Sequence, residues 1–271
     1  MVLSVNTNVG AMVALQNLNI TNKLLEKTQL KITTGLKING PKDDAATYAI
    51  AQNMRGDIGS FRAVRIALAA GESTINVAIS AAKSISDLMI EMKAKVVQSN
   101  QAGLDSQSRT ALHNDFTALR EQIDTIVKTA EFNGKNLIKI SATNMTVLST
   151  VDGSTITVSA QVMDTTTLSI NTSSLTSSSG ASSALTAINT AMILVTDKLA
   201  ALGSSAKRIE VQSDFTVKLV DILRAGVGNL VDADLAEESA NLQALQIKQQ
   251  LGIQALAIAN SGPQNILALF Q

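Results

Sequence analysis

Residues 1–36 read MVLSVNTNVGAMVALQNLNITNKLLEKTQLKITTGL. Leu15, Leu18, Asn22, Leu25, Gln29, Ile32 and Leu36 recur at alternating spacings of three and four. That puts them on one helical stripe and predicts a coiled-coil partner. Asn22 and Gln29 interrupt the stripe; such a residue either fixes register or turns out to water. No charged side chain precedes Lys23. The far end carries a matching pattern. Leu235, Leu242, Gln249 and Leu256 recur every seven residues, with Leu245, Gly252 and Ala259 in the neighbouring column, and no charge follows Lys248. An isolated long helix is marginal in water. The two ends are therefore expected to form an antiparallel pair.

The composition supports long helical seams. Apolar residues make up 45% of the 271, yet there is no Trp, one Tyr (Tyr48) and five Phe. Ala, Leu, Ile and Val must do the packing, and small aliphatic side chains suit close helix pairs better than a pocket. Lys and Arg number 22, as do Asp and Glu. That balance argues against a nucleic-acid partner, which selects a basic excess, and suits dense self-packing. The absence of cysteine excludes disulfides and thiol chemistry, and a single histidine, His113, argues against triads and histidine metal sites. No catalytic, cofactor or metal residue is expected. Both ends are broken by polar residues, so neither reads as a membrane-spanning helix or a secretory signal peptide.

Along the chain, Gly35, Gly40 and Pro41 predict a break, and Asp43-Asp44 reads as the charge at a following helix N-terminus rather than a metal pair. Helix is expected from about residue 57 to 100, with Ile75, Ile79, Ala82, Leu88 and Met92 as its apolar stripe. A capped turn at 103–106 leads to a second helix to about Thr129, facing inward through Leu112, Phe116, Leu119, Ile123, Ile126 and Val127. A short connection favours antiparallel packing of these two. Thr146–Val151 and Ser154–Val158 flank Asp152-Gly153, a hairpin signal. Ser173–Ser183 reads as a mobile, solvated loop that could carry O-linked sugar. Helix is expected again from about Ser183 to Leu223, through Leu185, Ile188, Met192, Val195, Leu199 and Leu202, ending at Gly226-Val227-Gly228. Asp232, Asp234, Glu237 and Glu238 suit the first turns of the last helix and lack the spacing of a calcium loop.

The expected fold is therefore mainly α: a long antiparallel, coiled-coil helical bundle with a small β-hairpin region at about 140–182. Residues 1–43 with 226–271 would form a terminal-helix domain, and 44–225 a second helical domain.

Several motifs, in order, resemble those of bacterial flagellins. They are Ile32-Thr33-Thr34-Gly35-Leu36-Lys37-Ile38-Asn39, then Lys42–Ala46, Phe132-Asn133-Gly134, Asp232–Ser239 and Gln249–Asn260. The chain is similar to the short flagellins of alphaproteobacteria. The resemblance implies a structural, non-enzymatic subunit that polymerises into the extracellular filament for swimming. Terminal helices would form the inner core and the next helical domain the outer tube. Implied partners are further copies of itself and other flagellins, the flagellar cap, hook-associated proteins, an export chaperone and the type III export apparatus, with no nucleic acid and no membrane insertion. Export would proceed without a cleaved signal peptide. Leu15, Leu18, Leu25, Ile32, Leu235, Leu242, Leu245, Leu256, Leu269 and Phe270 are the self-association candidates. Gly40-Pro41 departs from the small or Ser-Ala residues common in the family. Leu88–Val97 resembles the helix read by the animal innate flagellin receptor, but Glu91 and Lys95 stand where recognised flagellins have Arg and Leu. Glu91, Lys95 and Asp115 are thus candidates for receptor evasion and axial contact. The alternative is a hook–filament junction protein, which shares the terminal features. An enzyme or a membrane-inserting translocator has less support from these residues.

Overall fold

The computed structural model describes residues 7–267, with side chains for 7–261. Five helices and one hairpin follow in the order α1 (Val9–Thr34), α2 (Ala45–Ser99), α3 (Ser106–Thr129), β1 (Met145–Leu148), β2 (Thr155–Val158), α4 (Ser178–Val231) and α5 (Leu235–Leu267). The chain divides into two compact units, residues 1–56 with 222–271 and residues 57–221. Helices α2 and α4 contribute residues to both.

Local chemistry sets the helix ends. Asn8 caps α1, its side chain accepting from the Ala11 amide, and Gly35 closes it at φ +71° with its N–H on the Lys31 carbonyl. Only a residue without a Cβ takes that left-handed cap cheaply. Asp44 starts α2 by accepting from the Ala46 and Thr47 amides and the Thr47 hydroxyl. These bonds, the Thr47 hydroxyl foremost, hold its carboxyl below the usual carboxylate range. Asp43 is also held low, by the Lys27 ammonium and the Asn39 amide. The acidic pair is therefore a cap and an ion-pair partner. No cluster of potential metal ligands occurs among the described residues. Asp105 caps α3 and Asp234 caps α5.

The unit of residues 57–221 is built on heptads. On α2, Phe61, Val64, Leu68, Gly71, Ile75, Ala78, Ala82, Ile85, Met89, Met92, Val96 and Ser99 are all buried, at strictly alternating spacings of three and four. Of the expected stripe, Ile75, Ala82 and Met92 lie on this seam, whereas Ile79 and Leu88 lie one position off it as half-buried flanks. On α3, Arg109, Phe116 and Ile123 are buried at spacings of seven. On α4, Ala181, Ala184, Ile188, Ala191, Val195, Leu202, Ile209 and Thr216 keep the same rhythm. Leu185, Met192 and Leu199 flank this seam half-buried. By length and composition α4 could cross a membrane, but its seam residues are buried in this unit.

Three features of the middle differ from the sequence expectation. The strands pair antiparallel from Met145↔Val158 to Leu148↔Thr155, so six residues join them, not Asp152-Gly153 alone. Only Gly153 of that dipeptide has positive φ, and Ser149 holds the turn through its amide and hydroxyl on the Ser154 carbonyl. The two-residue turn, with both φ positive, is instead at Asn133-Gly134, where Phe132 and Lys135 exchange backbone bonds. Second, the serine-rich stretch is not a free loop. Leu175 is fully buried with its carbonyl bound by the Ser99 hydroxyl, Arg120 holds the Asn171 carbonyl, and helix begins at Ser178. Hydroxyl content describes solvation, but one well-placed leucine anchors the strap. Third, α4 runs through Gly226 and Gly228 to Val231. Two helical glycines cost about 1 kcal/mol each relative to Ala, which the surrounding packing overrides.

The hairpin sits tightly on α2. An added Cβ at Gly71 would lie 2.6 Å from Cγ2 of Val147. Gly71→Ala should therefore push β1 outward and cost roughly 1–3 kcal/mol, read as a lower thermal midpoint. Gly103→Ala, which meets open space, is the control.

Candidate functional site

The two terminal helices form a hairpin within one unit. Contacts run in opposite directions along them. Lys31 Nζ lies 2.6 Å from Glu238 Oε1, Gln249 Nε2 donates to Asn22 Oδ1 at 2.8 Å, and Asn8 Nδ2 donates to the Ala259 carbonyl at 2.7 Å. The link into α5 closes the hairpin base: Leu36 bridges Asp232, Lys37 donates to the Val231 carbonyl and Ala233 to that of Gly35.

The shared seam is again heptad. From α1 it takes Ala11, Ala14, Leu18, Thr21, Leu25, Thr28 and Ile32. From α5 it takes Glu238, Leu242, Leu245, Gln249, Gly252, Leu256 and Ala259. Leu18, Leu25, Ile32, Leu242, Leu245 and Leu256 thus lie on the seam. Between the leucines, α1 uses the short Ala14, Thr21 and Thr28, so Leu15, Asn22 and Gln29 rotate outward. The short residues let the helices approach. Gly252 does so most directly, since a Cβ there would stand 3.2 Å from Leu18 Cδ1. Leu15 and Leu235 are about half exposed, at 48% and 50%. Leu269 and Phe270 lie outside the described residues.

The hairpin does not satisfy its own apolar surface. Within α1 and α5, only Thr28 and Glu238 are buried among the described side chains. Val9, Met12, Val13, Ile20, Leu251 and Ile258 are each at least half exposed. Val9, Met12, Val13, Gln16 and Ile20 line an open groove along α1. By contrast, the unit of residues 57–221 buries Leu68, Ile75, Ile85, Phe116 and Ile123 almost completely.

Glu91, Lys95 and Asp115 belong to that second unit. Lys95 Nζ and Asp115 Oδ2 pair at 2.6 Å across α2 and α3, and Glu91 is exposed. Sequence reasoning missed the Asn8, Lys31 and Glu238 contacts, which bridge more than 200 positions. It noted Asn22 and Gln249 as interruptions without seeing that they meet.

A helical subunit whose two ends pair, and whose paired ends leave large apolar side chains exposed, has the features of a self-associating protein. Residues 5–143 match the bacterial flagellin N-terminal helical region and residues 185–270 the bacterial flagellin C-terminal helical region. Flagellin FljM of Caulobacter vibrioides is 45% identical over 269 residues, covering 99% of this chain and 98% of that protein. A flagellin of Brucella melitensis is 36% identical over 281 residues, covering 99% of each. Two solved structures share the fold. Bacillus cereus flagellin has a TM-score of 0.50 at 22% identity, covering 54% of this chain and 86% of that one. A putative flagellar hook-associated protein from Vibrio parahaemolyticus has 0.58 at 13%, covering 70% and 100%. The chain belongs to the bacterial flagellin family. It is a structural subunit of the extracellular flagellar filament, and its family is one of self-polymerising structural proteins.

Proposed function

We propose that the terminal hairpin is the inner-core assembly domain of the filament and that residues 57–221 form the outer-tube domain. The carrying observation is the apolar surface that α1 and α5 leave exposed in one copy. Burying a Val, Leu or Ile side chain contributes roughly 1.5–3 kcal/mol. Several such residues against neighbouring copies offset the cost of ordering two long helices. Leu15, off the internal seam, and Leu235, half exposed at the start of α5, then serve contacts between copies. Cap, hook-associated proteins, export chaperone and type III export apparatus are the further partners of this reading. Electron microscopy of purified chain seeded with filament fragments tests it: long filaments are expected, and a chain that stays monomeric contradicts it. Copy number separates it from a hook–filament junction role, with thousands of copies per filament expected against a single ring.

A second reading concerns Glu91 and Lys95. At the segment similar to the receptor-read helix, Lys95 pairs with Asp115 of α3 while Glu91 stays exposed. A receptor surface shaped for Arg and Leu there would meet a reversed charge and a missing apolar anchor. The monomer should leave the innate receptor silent, and Glu91→Arg with Lys95→Leu should raise signalling at least tenfold in a reporter-cell assay. Strong signalling by the unmodified monomer would contradict this.

A further inference from the structure

Each terminal helix carries a second heptad row, nearly opposite the seam it shares with the other. On α1 the row is Val9, Val13, Gln16 and Ile20; on α5 it is Ile247, Leu251, Gln254, Ile258 and Ser261. Spacings again alternate between four and three, and every one of these side chains is exposed in a single copy. Neither row holds a charge over this stretch, and Lys23 ends the α1 row.

We infer that the α1 row of one copy packs antiparallel on the α5 row of a neighbouring copy, with Gln16 facing Gln254 of that neighbour. The inference rests on the filament reading and specifies which faces meet and in what register. In this alignment Val13 meets Ile258 and Ile20 meets Leu251, so an apolar layer lies on each side of the glutamine pair. Sliding by one heptad in one direction buries Gln16 against Ile247 and Gln254 against Val9, leaving two amides without partners. Sliding in the other carries the Lys23 charge into the row opposite Gln254. A single buried polar pair therefore selects one register, as polar seam residues do in coiled coils. Inside one copy, two amides likewise meet across the pair of helices, where Gln249 donates to Asn22 at 2.8 Å at the exposed edge of the seam. An α1 row on an α5 row is a heterologous contact. Each added copy presents one unpaired row of each kind, and growth continues.

The chain has no cysteine, so engineered thiols report cleanly. Gln16→Cys and Gln254→Cys chains are mixed equally, polymerised on seeds, checked for filaments by electron microscopy and oxidised mildly. The 16–254 mixed dimer should exceed either homodimer several-fold on a non-reducing gel. Val13→Cys with Ile258→Cys, which leaves the glutamines intact, should give the same result. Asn22→Cys and Gln249→Cys in one chain should close an internal link without dimer. Well-formed filaments lacking both the 16–254 and the 13–258 dimer overturn the inference. Failure of the unmodified chain to polymerise would instead count against the filament reading.

Discussion

Removal of residues 249–271 is expected to give a soluble, helical monomer that forms no filaments. The deletion takes Gln249, Gly252, Leu256 and Ala259 from the seam, together with the partners of Asn22 and Asn8. Helix α1 from Val9 to Thr21 then has nothing in its own copy to pack on, and a stretch that short is marginal alone. The outward surface of Leu251 and Ile258 goes with it. The unit of residues 57–221 keeps its whole buried core, so its thermal transition should be unchanged. Circular dichroism, a thermal melt and seeded polymerisation read the three outcomes separately. Filaments of normal length from the truncated chain would remove the hairpin from assembly.

Arg109→Met should produce a large loss of stability from one substitution. Arg109 is 7% exposed, and its guanidinium donates to the Ser99 carbonyl and, at 2.6 Å, to that of Gln101. The Ser99 carbonyl ends α2, where no helical N–H reaches it; that of Gln101, in the following turn, also accepts from the Leu104 amide. Ser99 in turn donates to Leu175, so the arginine stands beneath the α2–α3 turn and the strap leading to α4. Methionine fills most of the volume but supplies no donor. Charged hydrogen bonds contribute about 1.5–3 kcal/mol each, and an orphaned buried acceptor costs about 1–3. A total near 3 kcal/mol should lower the thermal midpoint by about 10 °C in a unit of this size. Arg109→Lys, with one ammonium for two carbonyls, should recover part of it. A melt of Arg109→Met within 2 °C of the parent would show that water replaces the guanidinium freely.

Much of this was legible in periodicity. The seven-residue columns through Leu242, Gln249, Leu256, Leu245, Gly252 and Ala259 are the α5 half of the seam. Gly35, Asp44 and Asp105 cap as their chemistry requires. What the pattern misplaced was rotation. Leu15, Asn22 and Gln29 fit a heptad, but so do Ala14, Thr21 and Thr28, one position back. Leucines attract the eye, whereas close helix approach selects the smaller residues. On α2 the same ambiguity hid Ala78, Ile85 and Met89 behind Ile79 and Leu88. Nothing local in the serine-rich stretch marks Leu175 as buried; that depends on Ser99 and Arg120, far away in the chain. Gly226 and Gly228 read as a break because propensity is a weak prior against packing. The exposed apolar rows of α1 and α5 were legible as an excess of uncharged surface, though not as two further heptads.

Amide hydrogen exchange, compared between monomer and filament, tests the central claim most directly. The terminal hairpin should gain its protection from neighbouring copies. Residues 9–34 and 235–261 are expected to exchange rapidly in the monomer and to be strongly protected in the filament, while residues 61–99 stay protected in both. Equal protection of the terminal helices in the two states would contradict the account.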